Sequence, residues 1–268
     1  MITRQFLDAA GEQLTLPAVY RETKTMELVN GSLGHYRLWT LKGDTSIRPC
    51  LTGDVGGMRG AWENWVTAWH INNFSDFDTY IDIGANCGYF SFLAERHGLL
   101  VYAIEANADY VAALEESNFC NSAYVCVVHA AVSDSEGFVG LTVPTGLHGA
   151  ASSRHGDTNL PGTIQRVRTI TLDNASFAND LMGQKVLIKM DIEGAEQMAF
   201  NGAGRFNDCF KPTYILEYTP RHYDEFFYDE LLSYGDITMI DFNGNETAVT
   251  KSFANSQDDW ITLVVRPR

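Results

Sequence analysis

Asp82-Ile83-Gly84-Ala85-Asn86-Cys87-Gly88 puts an acid, two glycines and an amide into one short turn, and a second acid, Glu105, follows 21 residues after Gly84. Glycine at those places lets a backbone turn tightly and come close to a ligand. Asp82 is placed to meet a positive group, and Glu105 to accept from two neighbouring hydroxyls. Further along, "LIKMDIEGAE" gathers Lys189, Asp191 and Glu193, and Glu217 closes the apolar run "PTYILEY". Carboxylates grouped near a lysine are the groups that take up and release protons in catalysis.

Such residues need a scaffold that brings strand ends together. From Thr79 the chain alternates apolar runs with amphipathic stretches: "TYIDIG" then "GYFSFLAERHG", "LLVYAIEAN" then "ADYVAALEESNFCNS", "AYVCVVHAAVS", "KVLIKMDIEG" then "AEQMAFNGAGRF", "PTYILEYT" then "DEFFYDELLSYG", and finally "DITMIDFNG" and "DWITLVVRP". Repeated strand–helix alternation predicts a mainly parallel α/β sheet covered on both faces. The last two strands have no helix predicted between them and Asn243-Gly244 as a turn, so an antiparallel pair at the sheet edge is expected. Before Thr79, "TMELVNGSLGHYRLWTL" reads as a hairpin turning at Asn30-Gly31. "RGAWENWVTAWHINNF" reads as a helix with Trp62, Trp65, Val66 and Trp69 on one packed face and Glu63 off it. "FVGLTV" and "QRVRTITL" read as a strand pair around a Gly/Ser/His-rich loop, a length more typical of a binding loop than of a plain connection. The organisation expected is an extension over 1–72, holding the hairpin and Trp-rich helix, and a catalytic domain over 73–268.

Open parallel sheets bind ligands beyond the carboxyl ends of their strands. An acid one strand–helix–strand unit beyond the glycine turn suits the ribose of an adenosine cofactor. A dinucleotide would call for G-x-G-x-x-G, but the middle glycine is missing and Asp82 would repel a phosphate. S-adenosylmethionine has no phosphate. Its ammonium suits Asp82, and its carboxylate suits Asn86 and the turn amides, so Asp82, Gly84, Asn86, Gly88 and Glu105 are the cofactor-binding candidates.

"YIDIGANCGYFSFLA", "VYAIEANADYVAALEESN", "HAAVSDSEGFVGLTV", "TITLD" and "LIKMDIEGAEQMAFNGA" together resemble the FkbM family of S-adenosylmethionine-dependent methyltransferases, over roughly residues 34 to 218. The resemblance implies a class I methyltransferase-like Rossmann sheet of order 3-2-1-4-5-7-6 with the seventh strand antiparallel. It also implies O-methylation of a hydroxyl on a sugar, a glycan or a secondary metabolite. It carries Ser133 and Asp134 over to the adenine border, Glu63 to an acid near the cofactor, and Asp191, Glu193 and Glu196 to the family's acidic string. Cys87 departs from the aliphatic residue common in the motif.

Methyl transfer to an alcohol needs alignment, exclusion of water and a base. The base expected is Asp191 or Glu193, with Lys189 setting the local field; Lys189 and Asp191, two apart on a strand, face the same side. His148 and His155 in the Gly/Ser loop, with Glu217 and Tyr218, are the substrate-contact candidates, while His129 reads as a core histidine. Asp191 and Glu217 could hold Mg²⁺, but the metal is not the favoured assignment. The rival classes are a non-catalytic S-adenosylmethionine-binding module and a nicotinamide-dependent oxidoreductase. The latter is opposed by the missing glycine and by the absence of a Tyr-x-x-x-Lys pair after the fourth strand.

Bulk properties limit the partners. The chain has 268 residues, 45% of them hydrophobic, and a formal net charge of −15, which disfavours a nucleic-acid partner. Five cysteines without a C-x-x-C pair give no disulfide framework or zinc site. No signal peptide or membrane-length apolar stretch is read. The expectation is a cytoplasmic monomer or homodimer acting on a small-molecule or glycan hydroxyl, with no membrane partner.

Overall fold

The computed structural model describes residues 6–7, 13–14, 26–30, 36–42, 62–144 and 162–268. Its elements begin with β1 (Phe6–Leu7) paired with β2 (Gln13–Leu14), and β3 (Met26–Asn30) paired antiparallel with β4 (Arg37–Leu41). Asn30 is the last paired residue of β3, as a turn at Asn30-Gly31 requires, and residues 31–35 lie outside the described set. Helix α1 (Asn64–Asn73) leads into the alternating part: β5 (Thr79–Ile83), α2 (Tyr89–Arg96), β6 (Leu100–Glu105), α3 (Ala108–Asn121) and β7 (Val125–His129). Three strands then leave the main sheet: β8 (Ala131–Val132), β9 (Gly137–Pro144) and β10 (Gly162–Ile170). The chain returns with β11 (Val186–Met190), α4 (Glu196–Asn201), α5 (Gly204–Phe210), β12 (Thr213–Tyr218) and α6 (Phe227–Tyr234). It ends with β13 (Gly235–Ile240), β14 (Glu246–Ala248), α7 (Lys251–Asn255) and β15 (Ile261–Pro267).

The main sheet has eight strands in the order β7-β6-β5-β11-β12-β15-β13-β14. Strands β7, β6, β5, β11 and β12 are parallel, and β15 is antiparallel to both of its neighbours. Numbered along the main sheet, the first seven positions are 3-2-1-4-5-7-6, the class I methyltransferase order, and β14 adds an eighth strand antiparallel to β13. All residues of β5 and β11 are buried, as central strands covered on both faces must be.

Several local expectations change. The last strand pair is antiparallel, but β15 inserts between β12 and β13, Asn243-Gly244 turns the chain into β14, and α7 intervenes. Helix α1 starts only at Asn64, because Glu63 takes a left-handed backbone, φ 43°. The third apolar run breaks at Ala130: β7 is an edge strand of the main sheet, while β8 pairs with β10. That edge position exposes His129, whose ring meets the Ala106 carbonyl at 3.2 Å, so it is not a core histidine. The predicted helix after β11 splits at Gly202, where any Cβ would overlap the Ser133 carbonyl.

Strand parity decides what meets what. Tyr80, Leu187 and Ile215 belong to the core formed with α1 and β4, whereas Ile81, Ile83, Ile188 and Leu216 belong to the core of the other face. Because side chains alternate along a strand, Asp82, Lys189 and Glu217 all fall on the α1 side, near the carboxyl ends of three adjacent strands. Helix α1 is anchored there by Trp69, which is buried and donates through Nε1 to Glu246 at 2.8 Å. Glu246 in turn accepts from Thr238 and makes a paired contact with Arg266.

Candidate active site

The glycine turn is held by its neighbours before any ligand is considered. Gly84 N–H donates to the Ile104 carbonyl at 2.9 Å, and Asp191 N–H donates to the Ile83 carbonyl at 3.0 Å. Gly84 has φ +82°, and a Cβ there would overlap the Asp191 carbonyl oxygen. Glycine is therefore what lets the turn after β5 and the turn after β11 touch. We expect Gly84→Ala to abolish soluble folded protein or lower the thermal midpoint by about 10 °C or more, since both left-handed strain and backbone overlap act at once. Unchanged thermal melting would contradict this packing.

Glu105 is 7% exposed, and both carboxylate oxygens are oriented: Oε2 accepts from Asn86 N–H and Oε1 from Asn107 N–H, each at 2.7 Å. Each oxygen keeps a lone pair, so the carboxylate can still accept from two hydroxyls. Burial pushes its pKa up to about 7, against the amide bonds that favour the anion. Asn86 has a left-handed φ of 54°, and its side-chain oxygen accepts from Cys87 N–H. Gly88 caps α2 with φ 90°. Asp82 is 1% exposed; its Oδ2 accepts from Ser91 Oγ at 2.6 Å, and the positive group it faces is Lys189, its partner in the β5–β11 register.

The acids meet around Lys189. Its Nζ lies 2.9 Å from Asp191 Oδ2 and 5.0 Å from the centre of the Phe90 ring. Burial alone would lower the lysine's pKa, but Asp191, Glu63 and Asp82 outweigh it and hold the ammonium firmly charged. A small, shallow recess opens here, lined by Glu63, Lys189, Asp191, Glu217, Trp260 and Thr262 among others. Trp260 stacks on Trp65 of α1 with centroids 5.9 Å apart. Burial and the neighbouring acids Asp191, Glu193, Glu196 and Glu63 push the Glu217 carboxyl up to about 10. Glu63 rises to about 7, with burial the main cause and Lys189 opposing, and Glu193 to about 8 through burial, Asp191 and Glu196. Glu193 is held at a left-handed φ of 54°, in a turn that Glu196 ties by accepting from Ile192 N–H and Tyr223 Oη, both at 2.8 Å.

These raised values carry a sign. A carboxyl whose pKa is higher in the folded chain gives stability that is complete below its ordinary value and is lost as pH rises through the folded value. Glu63, Glu105, Glu193 and Glu217 therefore lose it progressively from their ordinary value of 4.5 up to folded values of about 7, 7, 8 and 10. We expect the thermal midpoint of the unliganded chain to fall as pH is raised from about 6 to about 9; a midpoint that climbs across that window would contradict it.

Other candidates fall elsewhere. Tyr218 follows Glu217 and so points to the opposite face: it is buried among Tyr223, Phe227 and Tyr228, and its hydroxyl donates to Asn255 at 2.8 Å. It is not brought to the recess. Ser133 donates its N–H to the Ile170 carbonyl and packs its own carbonyl against Gly202, and Asp134, exposed, accepts from Ser135. His148 and His155 lie outside the described residues. Among the described residues no group of three or more His, Cys, Asp or Glu is arranged to hold a metal ion, and no helix is long and apolar enough to cross a membrane. Sequence reasoning missed Trp260 and Thr262, which reach the recess only through the β12–β15 pairing. It also missed Asn107, whose place just after the strand-ending acid and before a helix was a legible capping signal.

The sequence model described as a methyltransferase FkbM domain matches residues 82–249. No curated protein matches the chain. Among solved structures it is similar to a methyltransferase FkbM from Methylobacillus flagellatus KT, with 17% identity over 71% of this chain and 44% of that one, TM-score 0.40. It is also similar to the T. thermophilus 16S rRNA N2 methyltransferase in complex with AdoMet and guanosine, with 13% identity, 91% and 51% coverage and TM-score 0.45. A third is the Pyrococcus abyssi tRNA (uracil-54, C5)-methyltransferase in complex with S-adenosyl-L-homocysteine, with 11% identity, 90% and 43% coverage and TM-score 0.45. The chain thus spans about half, or less, of the length of each of these three. With the family's domain model running from Asp82 to just beyond β14, the chain belongs to the FkbM family of S-adenosylmethionine-dependent methyltransferases.

Proposed function

We propose that the chain transfers a methyl group from S-adenosylmethionine to a hydroxyl of a sugar, a glycan or a secondary metabolite. The observation that carries this reading is the contact between the two turns. Gly84 of the cofactor turn lies against the Asp191 carbonyl, so the ligand turn and the Lys189–Asp191 pair are immediate neighbours. Part of the site suits the cofactor: Glu105 accepts from the ribose hydroxyls and the surrounding acids complement a cation, whereas the N–H groups of residues 84–88, expected to meet the methionine carboxylate, are already bonded to Ile104, Glu105, Asn86 and Ala85.

When bound, S-adenosylmethionine supplies an electrophilic methyl group. Asp191, held by Lys189, takes the proton from the acceptor hydroxyl as the oxygen attacks; Glu193 is the alternative base. Glu217, in its acid form near neutral pH, donates to or accepts from a second acceptor hydroxyl. Trp260, stacked on Trp65, gives a flat apolar wall against which a ring can align and from which water is excluded. Residues 73–268 form the methyltransferase unit in this reading, and 1–72 an extension that contributes Glu63.

The test is transfer of labelled methyl from S-adenosylmethionine to a panel of sugars, glycans and hydroxylated metabolites, with amines as the comparison and EDTA in parallel. Label on hydroxyl acceptors, untouched by EDTA, is the expected result. Label on amines alone would overturn the hydroxyl assignment, and sensitivity to EDTA would move Asp191 and Glu217 from proton handling to metal binding.

A further inference from the structure

We propose that Gln165, on the arm formed by β9 and β10, is a positioning residue for cofactor binding: it clips the loop that aims Glu105. The proposal rests on the reading above that Glu105 holds the ribose.

Asn107 donates its N–H to Glu105 Oε1 and is fully buried. Its Oδ1 caps α3 by accepting from Asp109 N–H at 3.1 Å, and also accepts from Gln165 Nε2 at 3.1 Å. The other end of the same glutamine amide, Oε1, accepts from Ala108 N–H at 3.0 Å. One side chain thus grips two consecutive residues of the loop from a strand that lies outside the main sheet, where β10 pairs with β8 and β9. Ala106, between Glu105 and Asn107, packs against the small apolar core of Leu141, Val143 and Val167 within that arm. The arm therefore holds the loop at one apolar and two polar points.

The grip matters because the Asn107 amide is held, apart from Gln165, by the single Asp109 N–H on its Oδ1. Among the described residues its Nδ2 is buried without a hydrogen-bond partner, which favours any rotation that finds it an acceptor. Gln165 opposes that rotation by holding Oδ1. Released, the backbone of residues 107 and 108 loses its anchor at the Ala108 N–H, and with it the alignment of the Asn107 N–H on Glu105 that keeps the carboxylate aimed at the ribose hydroxyls.

The test is a double-mutant cycle on S-adenosylhomocysteine affinity by calorimetry, using Gln165→Leu and Glu105→Gln. Gln165→Leu alone is expected to weaken binding about tenfold, because the freed loop must be ordered again when the ligand binds. In the Glu105→Gln background it is expected to change affinity less than about twofold. Equal affinity of Gln165→Leu and wild type, or the same tenfold loss in both backgrounds, would overturn the proposal. Hydrogen exchange at the Asn107 and Ala108 amides, read without ligand, is expected to quicken in Gln165→Leu, and unchanged exchange would overturn it independently. A wild-type chain that binds no S-adenosylhomocysteine would overturn the proposed function instead, and the exchange result would still decide whether Gln165 holds the loop.

Discussion

Glu105→Gln raises the dissociation constant of S-adenosylhomocysteine by about 10²-fold or more. The carboxylate accepts from two backbone amides at 2.7 Å and, in the bound state, from two ribose hydroxyls. A hydrogen bond to a charged acceptor is worth about 1.5–3 kcal/mol, and a glutamine keeps only one accepting oxygen. Its NH₂ would also face an N–H that it cannot satisfy. Calorimetric titration measures the change directly. Wild-type affinity is expected to fall as pH drops through about 7, where Glu105 takes up a proton, and to fall less steeply in the variant. Affinity within about threefold of wild type would remove Glu105 from the cofactor site.

Asp191→Asn lowers kcat on a hydroxyl acceptor by about 10²–10⁴, the range of a general base, while S-adenosylhomocysteine affinity stays within about threefold. Asparagine keeps the shape and an acceptor for Lys189, whose charge remains faced by Glu63 and Asp82. The fold should therefore survive, which thermal melting checks. Single-turnover rates with saturating cofactor separate chemistry from binding. Glu193→Gln is the companion variant: a large loss there with Asp191→Asn near wild type would assign the proton to Glu193 and contradict the present choice.

The turn after β5 was legible as a tight turn because its backbone need is local. Gly84, Asn86 and Gly88 take left-handed backbones, and a short string records that need directly. The strand order was legible through strand–helix alternation and the family resemblance, which also placed β15 antiparallel. Parity was legible but applied unevenly: Lys189 and Asp191 were put on one side, yet Glu217 and Tyr218, adjacent on β12, were both sent to the substrate although strand neighbours point to opposite faces. The left-handed turn at Glu63 carried no composition signal, since glutamate is uncommon there. Trp260, Thr262 and Gln165 reach their places only through pairings between distant segments, and no local pattern encodes those.

The most direct test of the central claim is calorimetric titration of the purified chain with S-adenosylmethionine and, separately, with NADH. Saturable one-to-one binding of S-adenosylmethionine, with none of NADH, is the predicted result. Binding of NADH, or of neither, would contradict it.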